Sequence, residues 1–205
     1  MPKDEEKTAE WFRKAAERGH AEAQNELGWM YASGRGVPRD FEKAAGWYRK
    51  AAEQGQRNAQ YNLGIMYTDG EGVPRDVTKA TEWFHKAAEQ GFAKAQNRLG
   101  VIYRVGRGAP QDDVKALAWF RKAAEQGYAE AQCCLGWCYH AGIGVVTDCA
   151  KAVEWYHKAA EQGNARAQAN LAWCLQTGQG VLQDLTEAVI WYQRSADLGY
   201  AMAQN

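Results

Sequence analysis

A 36-residue period decides what this chain can fold into. Leu27, Leu63, Leu99, Leu135 and Leu171 are spaced 36 residues apart, and an Ala-Gln pair (Gln24 to Gln204) and a tryptophan (Trp11 to Trp191) recur on the same step. No insertion breaks the register along the 205 residues. Self-similarity on this scale marks an array of stacked supersecondary units, because one such unit cannot bury its apolar face alone.

The unit is legible residue by residue. Ala23, Leu27, Met30 and Tyr31 follow the spacing of one helix face, and Ala44, Trp47, Tyr48, Ala51 and Ala52 follow it again further on. Between them runs Gly34-Arg-Gly-Val-Pro38-Arg-Asp40. Gly34 suits a helix end with positive φ, Pro38 bars a continuous helix, and Asp40 is an N-cap for the next one. The pattern predicts first helices near 21–33, 57–69, 93–105, 129–141 and 165–177, and second helices near 4–18, 40–54, 76–90, 112–126, 148–162 and 184–198. The fold class is therefore all-α, a solenoid of 36-residue helix-turn-helix repeats. Full units are placed at 20–55, 56–91, 92–127, 128–163 and 164–199, with a partial unit at 1–19 and a stub at 200–205, in a single array over 1–205. The large Trp and Tyr residues of the unit are expected to fill the layers between hairpins, with a cost of about 3–5 kcal/mol for deleting one of them, as in Trp83→Ala. Small residues at Gly28, Ala51 and Ala52 are expected to let helix backbones approach closely, and Lys50 and Glu53 to pair on the surface.

These residues resemble the Sel-one-like repeat (SLR) family, a relative of the tetratricopeptide solenoids. The family pattern is A-x-x-x-L-G-x-x-Y-x-x-G-x-G-V-x-x-D-x-x-x-A-x-x-W/Y-x-x-x-A-A-x-x-G. Here it falls on Ala23, Leu27, Gly28, Tyr31, Gly34, Gly36, Val37, Asp40, Ala44, Trp47 or Tyr48, Ala51, Ala52 and Gly55. Three positions depart from it: Leu175 in place of Tyr, Ala172 in place of Gly, and Ala109 in place of Val. The resemblance implies a right-handed α/α superhelix that acts as an adaptor for a protein or peptide partner. Some members resemble β-lactamases or penicillin-binding activities, which makes a β-lactamase-like or peptidoglycan-related enzyme the alternative. Some secreted members staple each hairpin with a disulfide to the Ala52 phase, which holds alanine here.

Comparing the copies separates what stacking needs from what is free to vary. The variable phases on the first helix are those of Glu22, Asn25, Trp29, Ala32 and Ser33, one stripe opposite the Ala23–Leu27–Tyr31 face. By resemblance to tetratricopeptide arrays, this stripe lines the concave side. Its candidate partner-binding residues are Asn25, Tyr61 and Asn97 at one level, Trp29, Trp137 and Trp173 at the next, and Arg104, His140 and Gln176 at the third. Exposed Trp and Arg side chains are marks of an interface, and asparagines beside them can bond a peptide backbone. The competing reading packs each of these tryptophans against the neighbouring first helix.

Charge narrows the partner. Lys plus Arg and Asp plus Glu number 25 each, so the net charge is zero, which argues against nucleic acid and anionic membrane surfaces. No stretch is apolar enough for membrane insertion, and the charged start Met1-Pro-Lys-Asp-Glu-Glu-Lys7 is unlike a signal peptide. Five cysteines, an odd number, lean toward a reducing, cytoplasmic compartment, while truncation from a longer chain would open a periplasmic or secreted one. The chain enters at a second helix and leaves one turn into a first helix, so a truncated array is expected, with self-association through its raw carboxyl end.

No residue is assigned a catalytic, cofactor or metal role. Cys134 and Cys138 are four apart on a helix with His140 nearby, but a structural zinc needs four tetrahedral ligands, and small apolar packing explains the cysteines better. The Gly-x-Gly turns follow a helix rather than a strand and lack the Lys-Ser/Thr of a phosphate loop. The four histidines form no Ser–His–Asp set.

Overall fold

The computed structural model describes residues 3–200, apart from the Lys3 side chain. Met1, Pro2 and the expected 200–205 stub beyond Tyr200, with its expected self-association, lie outside the described residues. Among the described residues there are eleven α-helices and no strand: α1 Lys3–Glu17, α2 Ala21–Ser33, α3 Phe41–Glu53, α4 Arg57–Asp69, α5 Val77–Glu89, α6 Ala93–Val105, α7 Asp113–Glu125, α8 Ala129–Ala141, α9 Cys149–Glu161, α10 Ala165–Thr177 and α11 Leu185–Asp197. The first helices fall where the period places them. The second helices α3, α5, α7, α9 and α11 are one residue shorter at each end than the expected ranges, with the aspartate as N-cap and Gln54, Gln90, Gln126, Gln162 or Leu198 as C-cap.

The chain divides into two compact units, Met1–Leu99 with Arg107–Pro110, and Gly100–Gly106 with Gln111–Asn205. In the first, α1 to α5 pack each on the next. In the second, α7 to α11 do the same.

The helix boundaries have local causes. Gly34 takes φ 74° and returns its N–H to the Met30 carbonyl, so α2 ends in a left-handed residue. A Cβ on Gly36 would collide with the Glu5 carbonyl of α1, so the second glycine of each turn is there for close packing rather than for phosphate. Asp40 Oδ1 accepts the Lys43 N–H at 3.0 Å, and its own N–H donates to the Tyr31 carbonyl at 2.9 Å. The Lys43 backbone N–H, with help from the Lys43 ammonium, holds the Asp40 carboxyl below its ordinary value.

The core corrects two expectations. The leucines of the period are buried in every unit, but of the two adjacent aromatics the buried one in these four copies is the residue after the tryptophan: Tyr48, Phe84, Phe120 and Tyr156. Each ring lies against a first-helix glycine, and a Cβ on Gly28, Gly64 or Gly136 would stand 2.8, 2.6 or 2.7 Å from the ring. These glycines therefore make room for a ring, whereas Gly28 is expected from the sequence to bring two backbones together. Trp47, Trp83, Trp119 and Trp155 are only half-buried. Their faces are covered by a lysine one turn on, Lys50 at 4.2 Å from Trp47 and Lys86 at 4.0 Å from Trp83. Lys50 thus stacks on an indole instead of pairing with Glu53, since a ring face fixed by the helix is a better-placed partner than a mobile exposed carboxylate.

The Ala-Gln pair builds a second ladder. Gln24 Nε2 donates to the Ala16 carbonyl at 3.0 Å, and its Oε1 accepts from Gln54 Nε2 at 2.7 Å. Gln60 with Gln90 and Gln132 with Gln162 repeat this link at 2.8 and 2.7 Å. In the last copy the donor is replaced by Leu198, and the buried Gln168 Oε1 has no hydrogen-bond partner. Leu198→Gln is expected to restore the link and raise stability by about 0.5–1.5 kcal/mol, read as a higher urea midpoint. An unchanged midpoint would show that the orphaned oxygen costs nothing.

Candidate functional site

The variable stripe sorts into residues the fold consumes and residues it leaves open. Asn25 is 5% exposed, donates to Glu26 at 3.0 Å and accepts from Asn62 at 3.1 Å, so its side chain is committed internally. Tyr61 is half-buried against Phe84 and Phe92, with ring centroids 5.6 and 5.3 Å away. Asn97 is half-buried, and its Oδ1 has no hydrogen-bond partner. The tryptophan level differs: Trp29, Trp137 and Trp173 are 42%, 44% and 38% exposed. Arg104 and Gln176 are exposed, and His140 is half-buried.

The second compact unit brings several of these together. The His140 ring stacks on Trp137 at 5.8 Å and meets the edge of Trp173 at 5.2 Å. The His140 Nδ1 is buried without a hydrogen-bond partner. These three rings, with Tyr156, Ala169, Asn170, Tyr192 and Tyr200, line a cavity of about 390 Å³. Gln176 joins through the Tyr192 hydroxyl, which donates to its Oε1 at 3.0 Å. A cavity of about 480 Å³ shares Trp137, Asn170 and Tyr200 and adds Val101, Arg104, Phe120, Cys134 and Arg166. Asn25, Trp29 and Tyr61 belong to the other unit and line neither cavity.

The aromatic cavity owes its existence to two small residues. Tyr192 occupies the phase of Tyr48, Phe84, Phe120 and Tyr156, whose rings all sit on a glycine. At that glycine position this copy has Ala172, and a methyl there takes the space the ring needs. Tyr192 is accordingly half-exposed, and the preceding Trp191 is buried in its stead. Ala169, at the phase of Tyr61, leaves the floor open. Sequence reasoning recorded Ala172 as a departure without its consequence. It also passed over Arg166, although Arg166 lies on the variable Glu22 phase.

The comparisons with known proteins bear on this frame. A family model for the Sel1 repeat matches residues 1–20, 21–56, 57–92, 93–128, 129–164 and 165–200. The chain belongs to the Sel1 repeat family. The model places each repeat one residue later than the 20–55 register. A structure of a protective antigen from uropathogenic Escherichia coli with an SLR fold is 38% identical, with a TM-score of 0.90 over 97% of this chain and 43% of that one. A Sel1 repeat protein from Oxalobacter formigenes is 40% identical, with a TM-score of 0.87, covering 90% of this chain and 74% of its own. An immunity protein from Pseudomonas aeruginosa is 25% identical, with a TM-score of 0.62, over 94% and 73% of the two chains. This chain thus spans less than half of the Escherichia coli protein. No curated protein matches it. The Sel1-repeat fold is commonly a protein-interaction scaffold, and its members are generally non-enzymatic.

The cysteines of these Sel1 repeats divide by burial. Cys133, Cys138 and Cys174 are buried, while Cys134 and Cys149 are half-exposed, and none forms a disulfide. Burial pushes the Cys138 and Cys174 thiols up to about 12 and about 11, and raises Cys133 as well. Arg166 donates from Nε to Cys133 Sγ and from Nη2 to Cys134 Sγ, each at 3.2 Å. Among the described residues, no group of three or more His, Cys, Asp or Glu is placed to hold a metal ion, and no helix is long and apolar enough to cross a membrane. Iodoacetamide at pH 8 is expected to label Cys134 and Cys149 first, with the other three reacting only on unfolding. Early labelling of Cys138, read by peptide mass mapping, would contradict the burial.

Proposed function

We propose that this Sel1-repeat chain is a protein-interaction scaffold that holds a peptide segment on its first-helix face, with the main grip in the second compact unit. The supporting observation is the exposure of Trp137 and Trp173 on either side of a His140-lined cavity. A soluble surface gains nothing by displaying two indoles at 44% and 38% exposure over a hollow, whereas an interface uses them as anchors. Arg104, exposed in the same unit, adds a cation to this grip, and the exposed Trp29 is a separate anchor in the first unit. Gln176 presents an exposed amide in the same unit.

Panning a displayed random-peptide library on the full chain tests this. Binders are expected, and the Trp137→Ala, Trp173→Ala pair is expected to lose them while keeping a cooperative urea transition. Loss of the transition itself would return the tryptophans to a packing role. Unaltered binding by the folded pair would move the site elsewhere.

A further inference from the structure

We propose that the two cavities of the second unit form one composite site for an acidic peptide segment, with a carboxylate at the Arg104–Arg166 end and an aromatic side chain at the Trp137–Trp173 end. This rests on the scaffold reading and adds the chemistry of the partner. The cavities share the walls Trp137, Asn170 and Tyr200, so an extended chain lying across Asn170 reaches both.

The two ends differ in kind. The larger cavity carries two guanidinium groups; among the described residues neither makes an ion pair, and the four Lys–Asp pairs are all at helix caps. Arg166 is held in place by Cys133 and Cys134 through Nε and Nη2, and among the described residues its Nη1 amino group makes no hydrogen bond. A guanidinium fixed in this way at a cavity wall is preorganised for a carboxylate, because little side-chain freedom remains to be lost on binding. The Arg104 side chain makes no hydrogen bond among the described residues and adds a second positive charge on the same wall. The smaller cavity is walled by Trp137, His140, Trp173 and Tyr192, an aromatic box suited to a flat ring by edge and face contacts. The Asn170 amide between the two ends is placed to meet the peptide backbone. A chain of zero net charge with this local excess of positive charge selects an acidic segment over a neutral one.

An array of random octapeptides probed with the full chain tests the proposal, alongside a labelled oligothymidine of eight nucleotides. Bound sequences are expected to be enriched in Asp or Glu together with Phe, Tyr or Trp, and to weaken as salt rises. Arg104→Gln is expected to weaken the best of them about tenfold, and Arg104→Gln with Arg166→Gln more, with helical circular dichroism unchanged. The exposed Arg104 side chain has no hydrogen bond or ion pair to lose among the described residues, so its single variant keeps the test valid if Arg166→Gln disturbs the cysteine pair. Peptides bound with no acidic preference and no response to Arg104→Gln would overturn this proposal and leave the scaffold reading standing. No octapeptide bound at all would overturn both. Tighter binding of the oligonucleotide would replace the acidic peptide with a nucleic acid.

Discussion

Phe84→Ala is expected to destabilise the chain by about 3–5 kcal/mol, and Trp83→Ala by only about 1–2 kcal/mol. The order is the reverse of what side-chain size suggests. Phe84 is buried, with its ring against Gly64, so truncation leaves a void bounded by a helix backbone that cannot collapse into it. Trp83 is half-buried, and Lys86 covers its face at 4.0 Å. Its loss gives up part of an area term and a cation–π contact, while solvent fills the gap. Urea unfolding of both variants gives the comparison. A larger loss for Trp83→Ala would mean that the tryptophan layer carries the stacking after all.

The contrast shows where sequence reasoning stopped. Period, helix order, caps and turns were legible because each is fixed by chemistry within a few residues: Asp40 bonds Lys43 three residues on, and Gly34 closes on Met30 four residues back. Which of two adjacent aromatics points inward was not legible. Trp83 and Phe84 are one residue apart on a helix, both apolar, and the choice depends on a glycine twenty residues away on another helix. The candidate site was legible in part. Variation between copies pointed to Trp137, His140 and Trp173, which the structure gathers around one cavity. It pointed equally to Asn25, whose hydrogen bonds are internal, because variation marks freedom from the stacking pattern and not access to solvent. Leu175 is a further case. Arg13, Arg49 and Arg121 each donate to a tyrosine hydroxyl, at Tyr31, Tyr67 and Tyr139. Where Leu175 supplies no hydroxyl, His157 sits near Glu161 and the edge of Trp191 instead, a rearrangement no single position announces.

Gly136→Val is expected to cost about 2–3 kcal/mol, and Ala172→Gly to act in the opposite sense on the neighbouring repeat. A Cβ on Gly136 would lie 2.7 Å from the Tyr156 ring, so any side chain there must drive the ring out of its slot or push the helices apart. Ala172 shows the first outcome already in place, with Tyr192 turned out and hydrogen-bonded to Gln176 at 3.0 Å. Removing that methyl restores the slot. The ring then gains burial worth about 1.5–3 kcal/mol against a glycine helix penalty of about 1 kcal/mol, so it is expected to turn inward at a small net gain. Tyr192 nitration by tetranitromethane is expected to slow in Ala172→Gly, and peptide capture to weaken as the aromatic cavity loses a wall. Nitration at an unchanged rate would mean that Trp191, and not the methyl, keeps Tyr192 out, and the Trp191→Leu, Ala172→Gly double variant separates the two causes.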